Sequence, residues 1–549
     1  MRVSRSILLL ILITFSVYFL SFFNHFVWDD EQFIYNNKFV ATFDVESIFT
    51  TNTIAGAGEI SNYYRPLTTL SFAWDYLFWG LNPVGFHLTN TLLHSLAGVL
   101  LYIILKKLKF SEQAAFWLAL IFLLHPIQTE AVTYANSRGD SMYTFFGLAS
   151  ILSLLLLFEK KNLSFSVYNL KIKIGWWLFA ILTPILYACS ILGKEIGIAT
   201  FGIQLLVVTH LFFSSKKNIF IFLKKNWACV SSVSGSLLIA GFYLFLRATS
   251  LNFNNSFNFY DDTSVYSESL LVRLLTFSKI IFIYIRLLLF PYPLHMERDT
   301  SLITSVASIW PVMFFVLAMI VIFISVREFK KKHTLYIGFG ALWFLIMLAP
   351  VSGVIAINGL LYEHWLYVPM IGFFICLYGI YKLYLEKLFS YQLAKRFLIG
   401  VAIIFSALTI RQNYLWGTPI RFYSYLLKHT ESARIHNNLA MALAEDGKLE
   451  DALKEYNLAL QYGIPYPNIY HNMANTYSSL GEYEKAEEYY SKAIEVSPYF
   501  YHSYFKLIDL YAQQKKYNQA LELAKKGQET FPEANDFKVL EKQLLEIEK

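Results

Sequence analysis

The sequence predicts an all-α protein in two parts: a polytopic, membrane-spanning helical domain over residues 1–411 and a soluble α-solenoid over 412–549. Hydrophobic residues fill 56% of the 549 positions and charged residues only 15%, where a soluble domain carries about a quarter charged. Lipid is therefore the main solvent of the chain. Most of the apolar excess lies before residue 411, and the tail beyond it has an ordinary charged, helical composition and repeats itself every 34 residues.

The membrane part reads as eleven apolar runs, at 7–24, 86–105, 112–125, 141–158, 175–192, 197–213, 227–247, 308–325, 335–350, 365–381 and 397–411. Each is near the length that about 30 Å of hydrocarbon requires. The first follows a basic start, as a secretory signal would, but has no small-residue cleavage site before Asn24-His25-Phe26-Val27-Trp28, so it reads as a span. Cys189, Cys229 and Cys376 all fall inside apolar runs without paired spacing and read as buried reduced thiols.

The net charge of +7 is gathered between the apolar runs and not along one face of a soluble helix, which argues against nucleic acid as a partner. The clusters are Arg2 and Arg5; Lys106, Lys107 and Lys109; Lys160, Lys161, Lys171 and Lys173; Lys216, Lys217, Lys224 and Lys225; Arg327 and Lys330 to Lys332; and Lys387, Lys395 and Arg396. The positive-inside rule makes all of them cytoplasmic. The run 270–290 is apolar enough to span but carries Arg273, Lys279 and Arg286, and a crossing there would turn Arg327 to Lys332 outward. It is therefore expected as a re-entrant or interfacial helix on the outer face. Eleven crossings put the N-terminus in the cytoplasm and the solenoid in the periplasm or lumen; in a bacterium the membrane would be the inner one.

In the tail, Ala440, Gly447, Ala452, Tyr456 and Ala459 recur as Ala474, Gly481, Ala486, Tyr490 and Ala493, and a third copy keeps Tyr511, Ala520 and Pro532. Small residues at close helix contacts with one aromatic filler are what stacked helix pairs need, and the period is that of tetratricopeptide (TPR) repeats. Three repeats are expected at 433–466, 467–500 and 501–534, with a degenerate half repeat at Arg421 to Lys428 and a capping helix from Glu533 to Ile547. Such arrays bind peptides or partner proteins.

Chemistry is expected at the outer membrane boundary, where an ionisable residue at a span end is either solvated or part of a site. Trp28-Asp29-Asp30-Glu31 sets three carboxylates directly after the first span, a pattern for a metal or a base, or for a solvated loop. Arg65, within Tyr63-Tyr64-Arg65-Pro66, suits either a phosphate or an interfacial anchor. Further outer loops carry His125 and Glu130, then Arg138-Gly139-Asp140, then Gly193-Lys194-Glu195, and then Glu363-His364. Four outer loops thus offer carboxylates beside cations, which anchoring alone does not explain. His87 and His94, in or beside an apolar span, read as packed helix residues.

In order, WDDE, YYRPL, GLNPVGFHLTNTLLH, HPIQTEAV with SRGD, GKE, LLLFPYPL, LAPVSG and YEHWLYVP, followed by the repeats, resemble the transmembrane-and-TPR-containing O-mannosyltransferases and their bacterial relatives, which are GT-C glycosyltransferases. The resemblance covers nearly the whole chain. It implies a GT-C-like membrane domain, a polyprenyl-phosphate-linked sugar donor, a lumenal or periplasmic active site, and a catalytic acid in the first outer loop, at Asp29 or Asp30. Mannose is the leading expectation for the sugar, and Ser/Thr of a protein for the acceptor. His364 departs from the Arg expected after the glutamate.

With a lipid phosphate as leaving group, the work left is to hold the donor and activate a hydroxyl. Asp29 or Asp30 is expected as the base, and Arg65, Arg138, Lys194 and His364 as donor-phosphate residues. Glu31, His125, Glu130, Asp140, Glu195 and Glu363 are expected to orient those cations or bind sugar hydroxyls. No ligand set demands a metal, although Asp29-Asp30-Glu31 leaves a divalent ion open. The expected partners are the lipid-linked donor, membrane lipid, and a protein acceptor or partner on the repeats. A membrane-anchored scaffold for envelope complexes is the competing reading; a transporter fits less well, because the polar groups sit at one face and not near the bilayer midplane.

Overall fold

The computed structural model describes residues 2–160, 163–167, 170–215, 218–253, 265–298, 300–332, 335–355, 357, 359–463, 466–532 and 534–547. Lys161, Lys216, Lys217 and Glu533 lie outside the described residues. The chain divides into two compact units, Met1–Gly417 and Thr418–Lys549.

Among the described residues, the first unit has six helices long and apolar enough to cross a membrane: Pro83–Lys107, Ala135–Glu159, Glu195–Ser215, Trp227–Ala248, Ile309–Lys331 and Tyr391–Leu415. Four shorter apolar helices join them, Arg5–Val17, Leu178–Gly193, Tyr336–Val351 and Pro369–Leu385. The chain is an integral membrane protein. The first helix ends at Val17, short of the run 7–24, because Phe19–Phe23 tightens into a 3-10 turn with Ser21 and Asn24 bonded three residues back.

The run 112–125 breaks. Helix Glu112–Leu124 meets Pro126–Val132 at a 50° bend, since Pro126 has no N–H to continue the ladder and His125 is extended. The His125 Nδ1 accepts the N–H of Ile127 at 3.2 Å, which caps the second piece. The segment Leu270–Leu289 is one continuous 20-residue helix and is not among the six, since it carries Arg273, Lys279 and Arg286.

Close packing follows from small residues and caps. A Cβ on Gly340 would lie 2.4 Å from the Gly372 carbonyl, and the reverse holds too, so helices Tyr336–Leu348 and Pro369–Ile380 touch backbone to backbone there. Buried Glu328 accepts the N–H groups of Tyr336 and Ile337, both at 2.9 Å, and so satisfies two orphan donors at the start of the 336–348 helix. One feature departs from the all-helical expectation: Leu163–Val167 and Leu170–Ile174 pair as an antiparallel hairpin, with Leu163 opposite Ile174. The alternation of apolar residues with Ser and Lys over 163–174 has the period of a strand.

The second unit begins with helix Pro419–Leu426. Three helix pairs follow, Ala433–Glu445 with Leu449–Gln461, Pro467–Ser479 with Tyr483–Val496, and Tyr501–Gln513 with Tyr517–Thr530, and then helix Asp536–Ile547. Ala440, Ala452, Ala459, Ala474, Ala486, Ala493 and Ala520 are fully buried at the helix contacts, with Tyr456 and Tyr490 between them. Each pair turns on a left-handed residue. Gly447 and Gly481 both have φ +78°, and 34 residues on Lys515 takes the same turn at φ +59°.

Candidate functional site

The sequence-expected residues fall into two clusters that share the first turn of the helix Arg138–Glu159. The first gathers around Asp30, which is buried. Its Oδ2 accepts the N–H of Val27 at 3.0 Å and its Oδ1 the N–H of Asn136 at 2.7 Å, so it ties the loop after the first helix to the 126–140 segment. Burial pushes its carboxyl up to about 8 against those two donors and Arg138, with Asp29 adding to the rise. Asp29 is only half-buried, its N–H donating to the Tyr134 hydroxyl at 3.0 Å, and it follows Trp28 at φ +58°. Glu31 is exposed and accepts from Asn36. Among the described residues no group of three or more His, Cys, Asp or Glu is gathered as metal ligands.

Arg138 is wholly enclosed. It meets Asp75 at 2.5 Å, Asn90 Oδ1 at 2.7 Å, the Phe86 carbonyl at 3.0 Å and Ser71 Oγ at 3.2 Å, and stacks over Phe72. Contrary to the expectation of a phosphate ligand, its donors are spent on the fold. His125 is enclosed as well, with Nε2 bonded to the Leu288 carbonyl at 3.1 Å, so it braces the helix break against helix Leu270–Leu289.

The second cluster holds the other cations, each at the end of a helix or in a loop beside one. Arg65 precedes Pro66 at the start of helix Pro66–Trp79; its Nε lies 3.0 Å from Glu195 Oε2 and its guanidinium stacks 4.5 Å over Tyr63. Among the described residues, its two terminal nitrogens make no hydrogen bond. Lys194, just past helix Leu178–Gly193, donates to both oxygens of Asp140 at 2.7 and 2.9 Å. That pairing needs the turn at Gly193 to lie against Gly139, where a Cβ would sit 3.2 Å from the Gly193 carbonyl.

Glu130 grips His364 twice, taking Nδ1 at 2.6 Å and the backbone N–H at 3.1 Å. The imidazole stacks on Tyr362 with ring centroids 5.3 Å apart. Burial and then Lys194 hold it down at about 3, opposed by Asp140 and helped by Arg65, so the ring is neutral. The Glu130–His364 contact is accordingly a hydrogen bond within the network and not an ion pair. Beside it, Glu363 accepts from Arg298 Nε at 2.8 Å and from the N–H of His295 at 2.9 Å, and burial raises its carboxyl against the pull of Arg298.

Arg65, Lys194, Asp140, Glu195, Glu130, His364 and Glu363 thus form one electrostatic network. Arg298, its third cation, escaped the sequence reading, which stopped at the apolar run ending in Leu294. A charged residue between two apolar runs was the available signal. Asp75 and Asn90, which close Arg138, lay inside helical runs and gave none.

Comparison with known proteins places these observations. A family model described as dolichyl-phosphate-mannose-protein mannosyltransferase matches residues 6–257. A tetratricopeptide repeat model matches residues 467–500. A Caenorhabditis elegans protein O-mannosyl-transferase is 25% identical over 477 residues, covering 84% of this chain and 63% of the relative. A human protein O-mannosyl-transferase is 25% identical over 483 residues, covering 79% and 63%. The chain resembles the transmembrane-and-TPR-containing O-mannosyltransferases. It spans 63% of the length of these two relatives. Among solved structures it is similar to an Archaeoglobus fulgidus oligosaccharyltransferase (13% identity, TM-score 0.41, 80% of this chain and 59% of that one). It is similar also to ArnT from Cupriavidus metallidurans bound to undecaprenyl phosphate (14% identity, TM-score 0.39, 88% and 79%).

Proposed function

We propose that the membrane unit is a GT-C-type glycosyltransferase that moves a sugar, mannose in the first instance, from a polyprenyl-phosphate donor to a Ser/Thr hydroxyl of a protein on the non-cytoplasmic face. The observation that carries this reading is the availability of both terminal nitrogens of Arg65 beside Lys194, in a network otherwise closed by carboxylates. A phosphate arriving there meets a planar two-donor fork and an ammonium. These groups stabilise the charge that grows on the phosphate as its bond to the sugar breaks.

Arg298 joins them as a third cation, and Glu195, Asp140 and Glu363 set the directions of the three. Of the first-loop carboxylates, Asp30 is closed by two N–H groups, and Asp29, half-buried beside it, is the base in the reading that the resemblance implies. Arg138 supports the site from below. The repeats hold the protein acceptor or a partner protein on the same side of the membrane.

The test is incubation of the purified protein with polyprenyl-phosphate mannose and Ser/Thr peptides, with mass spectrometry of the products. Folded protein that neither transfers from nor binds any polyprenyl-phosphate sugar would overturn the reading. For sidedness, single cysteines placed in the repeats of intact cells or right-side-out vesicles are expected to react with a membrane-impermeant maleimide. Labelling only after permeabilisation would put the repeats in the cytoplasm.

A further inference from the structure

Helix Tyr391–Leu415 changes character near its end. Among residues 391–404 none is buried, whereas Phe405, Thr409, Gln412 and Asn413 all are, and so is Trp416 just past the helix. Steps of three and four residues put these positions on one stripe. Buried polar side chains persist only where they are hydrogen-bonded.

The partners of the stripe lie at breaks in other elements. Thr409 Oγ1 donates to the Leu124 carbonyl at 2.8 Å, where helix Glu112–Leu124 stops before Pro126. Asn413 Nδ2 donates at 3.0 Å to the carbonyl of Val17, the last residue of the first helix. Its Oδ1 takes the Thr133 hydroxyl at 2.6 Å, and its carbonyl takes Asn24 Nδ2 at 3.1 Å. Gln412 Nε2 donates to the Leu294 carbonyl at 3.1 Å. Carbonyls at helix ends have no partner in their own ladder, so a side chain from outside can fix where the chain goes next.

What comes next in each case is a group of the site. Leu294 leads into His295, whose N–H donates to Glu363 at 2.9 Å, and into Arg298, whose Nε donates to the same carboxylate at 2.8 Å. Thr133 leads into Tyr134, whose hydroxyl accepts the Asp29 N–H at 3.0 Å and whose ring centroid lies 5.5 Å from that of Trp416. Asn24 leads into His25, whose N–H donates to the Gly417 carbonyl at 3.1 Å. One helix end therefore holds the segments that carry both clusters.

We propose that this stripe is the frame that sets the two clusters in register for transfer: Gln412 positions Arg298 on the donor side, and Asn413 with Trp416 positions Asp29 on the acceptor side. The inference rests on the transferase reading above and adds positioning residues to it; none of the three touches substrate. A frame differs from simple helix adhesion in that its members act on different kinetic constants, because each reaches a different part of the site.

The experiment is steady-state transfer by the full chain from polyprenyl-phosphate mannose to a Ser/Thr peptide. Wild type is compared with Gln412→Leu, Asn413→Leu, Trp416→Leu and Trp416→Phe, with the unfolding midpoint in detergent measured for each. Gln412→Leu should raise the donor KM by about fivefold or more with kcat changed by less than about threefold, the mark of lost binding. Asn413→Leu and Trp416→Leu should lower kcat by about 10- to 100-fold, as a misplaced group of about 1 Å does, with donor KM nearly unchanged. Trp416→Phe keeps a ring against Tyr134 and should retain most of the activity; this pair decides the acceptor side if Asn413→Leu does not fold. Losses that follow the midpoints with no division between KM and kcat, or unchanged kinetics in folded variants, overturn the proposal. Absence of transfer by folded wild type overturns the transferase reading itself, which separates the two failures.

Discussion

Arg65 and Glu195 meet through Nε of the guanidinium, at 3.0 Å, and not through its terminal nitrogens. A side-on pairing of this kind fixes the plane of the arginine while leaving the fork facing away from the carboxylate for another anion. Cation stacking on Tyr63, 4.5 Å away, fixes the same plane from the face. The expected consequence is a loss in donor recognition when the fork is removed. Arg65→Ala should lower kcat/KM for the lipid-linked donor by about 10- to 100-fold, the worth of one or two charge-assisted hydrogen bonds. Arg65→Lys should recover only part, because an ammonium lacks the fork. Kinetics with varied donor concentration decide it, and an unchanged KM in folded Arg65→Ala would show that phosphate binds elsewhere.

Arg138 and Asp75 call for the opposite result. Removing the arginine leaves a buried carboxylate without its cation, at a cost of about 3–5 kcal/mol. Arg138→Met should therefore destabilise the membrane unit, seen as a lower midpoint in detergent unfolding, and Asp75→Leu on top of it should restore part of the loss. Reduced transfer with an unchanged midpoint would argue for direct contact with substrate.

Asp30 gives a pH dependence of stability. Its carboxyl is raised from 3.8 to about 8 in the folded chain, so between those values the folded state holds a proton that the unfolded state has released. Stability from this group is present below about pH 4 and is lost as pH rises through about 8. Asp30→Asn should flatten that part of the profile in unfolding measured from pH 5 to 9, at the expense of one of the two N–H acceptors. A profile that keeps its slope would trace the dependence to another group.

Lys515 occupies the left-handed turn that Gly447 and Gly481 fill in the other repeats. A side chain there costs about 1–2 kcal/mol, offset in part by the extra freedom of glycine in the unfolded chain. Lys515→Gly should thus stabilise the repeats by about 0.5–1 kcal/mol in chemical denaturation, and Gly481→Lys should destabilise them by a similar amount. Equal midpoints for both variants would remove the argument.

How far the site was legible depends on how local each signal is. Hydropathy set out the apolar runs because a span needs a continuous apolar stretch, and the 34-residue period is visible as identity at fixed offsets. Residues such as Arg65, Asp140, Lys194 and Glu363 stood out because charge at the end of an apolar run is costly unless it serves something. The hairpin Leu163–Val167 with Leu170–Ile174 was missed because its basic residues also make a cytoplasmic topology signal, and the two readings compete for the same lysines. Arg298 was missed because it lies four residues past the apolar run ending at Leu294, not at a span end.

What the sequence by itself determined is the solvent of each half, the helical class of both, and the set of ionisable residues set apart from lipid. Those follow from composition and period, which act over a few turns of chain. Only the tertiary structure decided which carboxylate meets which cation: Glu130 with His364 across 234 residues, Arg65 with Glu195 across 130, and Arg138 shut away on Asp75. That choice turns on which helix ends are packed side by side, through contacts such as Gly139 on Gly193, and a charge has no pattern along the chain that names its partner.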